Sequence, residues 1–111
     1  MNWIRLIESK EEYLSRGAVL RAKGSFPYEP LVDFMVFDPS ESGLGQGLIV
    51  TTGYKAGLIL VLLPADSCGD GGGRSIDKQW LVNNWEKWAY PDCKVSEVYM
   101  LENYECSDFS G

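Results

Sequence analysis

The sequence predicts an α+β fold: a mainly antiparallel, curved sheet of about six strands with one principal helix packed on it. Three observations carry this. Short apolar or alternating runs recur along the chain, separated by glycine, proline and aspartate. Two of the runs, 47–52 and 57–63, are joined only by Gly53-Tyr54-Lys55-Ala56, the spacing of a hairpin. Finally, Leu81, Asn84, Trp85 and Trp88 recur at i, i+3, i+4 and i+7, which places them on one helical face.

Residues 2–7 (Asn-Trp-Ile-Arg-Leu-Ile) read as an opening strand, and Glu8 to Arg16 as a turn or one short helical segment ended by Gly17. Ala18 to Lys23 reads as a second strand, with Val19, Arg21 and Lys23 on one face. Two prolines make 24–30 a loop. Leu31 to Phe37 is apolar except at Asp33 and Asp38-Pro39-Ser40 stops it, so it reads as a well-buried strand. In the hairpin, Gly57 to Leu63 is apolar on both faces, the pattern of a central strand. Pro64 to Ser75 is a loop rich in glycine and aspartate. Ser75 or Asp77 can cap the helix that follows, Lys87 suits its last turn, and Pro91 ends it. Val95 to Leu101 alternates as a final strand. No internal repeat or linker divides the chain, so residues 1–101 read as a single domain and 102–111 as an acidic tail.

The net charge of −6 argues against nonspecific nucleic-acid binding and against an anionic membrane surface. It permits a basic protein partner. The cysteines, Cys68, Cys93 and Cys106, are odd in number and form no Cys-x-x-Cys pair, which fits a reducing compartment. The first eight residues lack a signal-peptide pattern, and the longest apolar run, Ala56 to Pro64, is too short to span a bilayer. The expected location is the cytoplasm.

Chemistry is hard to place. Histidine is absent, which removes Ser-His and Cys-His pairs and every zinc site that needs histidine. The glycines at 69–73 lack the Gly-Lys-Ser/Thr ending of a phosphate loop. Asp66, Asp70, Gly71 and Asp77 imitate a calcium loop, but Cys68 stands where a hard cation wants oxygen. Asp33 is the one carboxylate inside an apolar strand, and its expected role is structural. Cys68 has no histidine to activate it. No catalytic residue, metal or cofactor is predicted. The tryptophans at 85 and 88 read as core. Trp80, about 80° off their stripe by the 3.6-residue period, could leave its ring at an edge for a ligand or peptide.

Asp33-Phe-Met-Val, Gly53-Tyr-Lys-Ala-Gly-Leu-Ile-Leu-Val, Gln79-Trp-Leu-Val-Asn-Asn-Trp85-x-Lys87-Trp88-x-Tyr90-Pro91-x-Cys93 and Glu97-Val-Tyr99 resemble a family of small bacterial immunity proteins. These are encoded beside polymorphic toxins, including contact-dependent growth inhibition systems. The resemblance covers most of residues 1–101, and the tryptophan segment is its most specific part. It implies a non-enzymatic inhibitor that binds the C-terminal domain of a cognate toxin, often a nuclease with a basic cleft. In that reading the tryptophan segment is scaffold. The expected contacts are the 65–74 loop, with Asp66, Asp70 and Arg74, and the acidic positions Glu97, Glu102, Glu105 and Asp108, with Trp80 at the edge.

Overall fold

Cross-strand pairing explains how the core is assembled. In a computed structural model describing residues 3–25, 29–69 and 73–102, Ile4, Met100, Leu20, Phe34 and Val50 face one another across five strands. All but Ile4 are buried in one apolar cluster. Directly opposed residues share a face. One row later Arg5, Tyr99, Arg21 and Asp33 line up on the other face. The period of two thus separates an apolar inner face from a mixed outer one.

The strands are β1 (Ile4–Arg5), β2 (Tyr13–Leu14), β3 (Val19–Lys23), β4 (Leu31–Phe37), β5 (Leu44–Val50), β6 (Ile59–Pro64), β7 (Ile76–Asp77) and β8 (Tyr99–Leu101). Six of them form an open antiparallel sheet in the order β1-β8-β3-β4-β5-β6, so the predicted α+β class is the one observed. The remaining pair, β2 and β7, makes a separate antiparallel ribbon. That ribbon replaces the turn or helical segment expected at 8–16. Two residues per strand are too few for a periodic signal, and the partner lies some sixty positions away.

Three other expectations shift. The opening strand is only Ile4–Arg5, because Leu6 to Glu8 turns as a 3-10 helix that drops Leu6 into the core. The final strand is likewise only Tyr99–Leu101, preceded by a 3-10 turn at Val95–Glu97. The 57–63 run is not central: β6 is an edge strand, and Ile59 at its start is 54% exposed. Its inner face is apolar because the helical segment packs there, with Leu60 and Val61 against the core and Leu63 fully buried. The hairpin to β5 stands, closed by a 3-10 turn at Gly53–Lys55.

Close approach explains two glycines on β5. A Cβ at Gly47 would lie 2.5 Å from the Phe37 ring, which lies across the strand. At Gly45 it would lie 2.5 Å from the Oγ of Ser67, the buried residue of the 3-10 turn that follows β6.

Helix α1 (Lys78–Asn84) starts at Asp77, whose Oδ1 accepts from the backbone N–H of Gln79 at 3.0 Å and of Trp80 at 3.4 Å. Asp77→Ala should cost about 1 kcal/mol, read as a lower urea midpoint at unchanged slope. A shift of only a few tenths would mean that the turn is held by the β2–β7 ribbon instead. Leu81 and Trp85 are fully buried, as their stripe predicts. After Asn84 the helix widens to a π turn, Trp85–Ala89. Asn84 marks the change: its side-chain amide donates to the Trp80 carbonyl at 2.9 Å, a local bond that competes with the regular ladder.

The wider turn advances more slowly around the axis, which swings Trp88 back towards Trp80. Their ring centroids lie 6.2 Å apart, and both rings are half-buried against the core. Trp88 therefore sits beside Trp80 rather than deep on the Leu81–Trp85 stripe. The same turn carries Tyr90 and Cys93 inward, Tyr90 packing on Phe34 with centroids 5.5 Å apart. No helix among the described residues is long and apolar enough to cross a membrane.

Candidate functional site

The sequence-predicted contact residues fall at several places. Neighbouring strands are antiparallel throughout, so β8 and β6, four strands apart, run the same way. Glu102, after β8, and Asp66, after β6, therefore leave the sheet at one end. At 4.8 Å per strand they stand roughly 20 Å apart across it, too far to act as one cluster. Glu97 precedes β8 and lies at the opposite end. Asp66 is exposed. The Arg74 Nη2 donates to the Asp38 Oδ1 at 3.1 Å, tying the loop back to the end of β4. The Asp38 carboxyl is held below its ordinary value chiefly by the backbone N–H of Ser40, and secondarily by Arg74. Asp70, Glu105 and Asp108 lie outside the described residues.

Asp33 has the structural role expected of it. Its two oxygens accept from the Arg21 Nε at 2.8 Å and Nη2 at 2.9 Å. A carboxylate so engaged is not placed to move protons.

A broad concavity lies where Glu102 emerges. The segment from Glu8 to Ser15 runs beside the inner-face end of β1 and β8 and leaves a groove of about 570 Å3. Its walls include Glu11, Glu12, Tyr13, Met100 and Glu102, with Lys10 as the basic residue. A second hollow of about 430 Å3 extends it past Ile4 and Glu8. Four carboxylates thus face one lysine around an apolar floor of Ile4 and Met100.

The groove has a fixed wall. The Ser9 Oγ accepts from the Glu11 N–H at 3.1 Å, and the Glu12 carbonyl accepts from the Lys78 N–H at 2.9 Å. The Lys78 ammonium donates to the Ser9 carbonyl. The first residue of the helix therefore anchors the acidic segment. Lys78→Met should leave the fold intact and speed amide exchange at Glu11 and Glu12 about tenfold, the loss expected for one charge-assisted bond. Unchanged exchange would mean that the ribbon alone holds the wall.

Comparison with known proteins gives the arrangement its context. The family described as Immunity protein 45 (Imm45) matches residues 6–100, nearly the whole chain. The chain belongs to this family. Membership in Imm45 gives it a toxin-neutralising role, with a toxin protein as partner. No curated protein sequence matches the chain, and no solved structure does. The Imm45 match runs from Leu6, the core residue of the first turn, to Met100 on the groove floor, so it includes the 8–15 wall.

Sequence reasoning reached Glu102 but missed Glu8, Glu11 and Glu12 as its neighbours. The available signal was the dense run Glu8-Ser-Lys-Glu-Glu12, the most charged stretch of the chain. What hid its relevance was the distance in sequence from Glu102.

Proposed function

We propose that this chain binds the C-terminal domain of its cognate toxin in the cytoplasm and silences it by occupying its surface, without chemistry of its own. The observation that carries this reading is the Imm45 match over residues 6–100. The acidic groove supports it. An acidic inhibitor with a net charge of −6 complements an enzyme that must hold a polyanion, so a nuclease is the favoured target. In this reading Glu8, Glu11, Glu12 and Glu102 meet the basic surface of the toxin. Asp66, Asp70, Arg74, Glu97, Glu105, Asp108 and the half-buried Trp80 remain contact candidates around them.

Co-expression provides the test. The toxin domain encoded beside this chain should arrest growth alone, co-purify with the chain when both are present, and lose its activity in the complex. A toxin that stays active and unbound would overturn the proposal.

A further inference from the structure

The pleat that builds the acidic groove also builds its counterpart on the other face. Ile4 and Met100 point inward to the groove, while Arg5 and Tyr99, one residue along each strand, point outward. Beside them on β3 stand Arg21 and Lys23. Together with Leu31, Ala22 and Glu97 these residues enclose a cleft of about 290 Å3. Three cations and one carboxylate line it, with the Asp33 and Glu8 carboxylates against Arg21 and Arg5, so that Lys23 is the cation without an ion-pair partner among the described residues, in a chain whose net charge is −6.

The cations are arranged rather than scattered. Asp33 grips Arg21 through Nε and Nη2, leaving Nη1 outside that fork. The Trp3 ring covers the guanidinium, 4.2 Å from centroid to carbon. Such stacking fixes the plane of the donor before any ligand arrives. Arg5 stands opposite Tyr99 across the β1–β8 pair and makes a loose 3.7 Å contact with Glu8, both ends of which are half-exposed. That contact contributes little and is easily exchanged. Lys23 is exposed and has no ion-pair partner among the described residues. Leu31, 54% exposed, and the Tyr99 ring supply an apolar wall.

We infer that this cleft receives a carboxylate side chain of the toxin domain, so that the partner straddles the short β1–β8 edge with a basic patch on one face and an acidic anchor on the other. The inference rests on the toxin-binding reading above and adds the chemistry of a second contact. A single carboxylate fits better than a nucleic-acid strand, whose row of phosphates would meet the surrounding negative charge and Glu97 at the rim. The aliphatic part of an aspartate or glutamate side chain would lie on Leu31 and Tyr99. A basic toxin meets many acidic surfaces. One that must also place a carboxylate between Arg5 and Lys23 meets few, so the cleft contributes discrimination between toxins.

The test measures affinity of the purified toxin domain for the full chain and for Arg5→Glu and Lys23→Glu. Arg21 is left intact, because its removal would orphan Asp33. Thermal melts confirm that both variants fold. Each should weaken the complex at least tenfold. One Asp→Lys or Glu→Lys substitution in the toxin should weaken binding to the original chain and recover it with Lys23→Glu. Toxin binding by the original chain that neither variant changes would overturn the cleft assignment and leave the toxin-binding reading standing. No toxin binding by the original chain would instead remove the reading itself, and the inference with it. A single-stranded RNA oligonucleotide serves as a separate probe. Its retention by the original chain, lost in Lys23→Glu, would overturn the carboxylate assignment.

Discussion

Trp85→Ala is expected to cost about 3–5 kcal/mol of folding stability, the range for truncating a large buried side chain where the site cannot collapse. Trp85 is 1% exposed and among the largest fully buried side chains. Its indole Nε1 also donates to the Cys93 carbonyl at 2.9 Å, inside the core. The substitution therefore removes apolar volume and leaves a buried carbonyl unpaired. Trp85→Phe separates the two effects: it keeps most of the ring and loses the donor, and should cost about 1–3 kcal/mol. Urea melts of the pair give the comparison. Domains of this size hold only about 5–15 kcal/mol in total, so the alanine variant should be poorly folded at 37 °C. Equal losses in both variants would assign the whole effect to the hydrogen bond. A loss below about 1 kcal/mol in both would mean that the π turn relaxes to fill the space.

This residue also shows what the sequence discloses and what it does not. Leu81 and Trp85 follow a period of 3.6 residues on a face that must be covered, and Asp77 stands one position before it, so helix, cap and core face were readable locally. The widening at Trp85 was not. It depends on Asn84 choosing the Trp80 carbonyl and on Tyr90 finding Phe34, contacts that no local pattern encodes. That one change moves Trp88 beside Trp80 and turns an unassigned ring into one half of an aromatic pair.

Long-range pairing limited the rest. The apolar run at 57–63 looks central because both of its faces are apolar. Hydrophobicity reports cover, however, and here the π turn Trp85–Ala89 packs on the strand while no strand lies beyond it among the described residues. The β2–β7 ribbon is four residues long in all and joins positions 13–14 to 76–77. It carries no periodic signal, yet it sets the wall of the groove. The groove was thus half legible: Glu102 stood out as an acid after the last strand, and the glutamates it faces became its neighbours only through the fold.

The second large effect concerns binding. Replacing Glu11, Glu12 and Glu102 together by lysine should lower toxin affinity by about two to three orders of magnitude while shifting the melting midpoint little. All three are exposed, and none makes a side-chain ion pair among the described residues. Surface substitutions of this kind stay within about 0.5 kcal/mol of the original stability per site. The binding effect is large because each reversal both removes an attraction and introduces a repulsion against a basic partner. The loss should appear partly in the association rate, which is the quantity long-range charge governs, and it should shrink as salt rises and screening shortens below about 10 Å. A control with three reversals at exposed acids that do not line the groove, Glu41→Lys with Glu86→Lys and Asp92→Lys, changes net charge by the same amount. If the two triple variants lose affinity equally, overall charge drives association and the groove has no special place. If only the groove variant loses it, the toxin docks where the 8–15 wall meets the end of β8. That outcome would make the β2–β7 ribbon, the element least visible in the sequence, the part of the fold that shapes recognition.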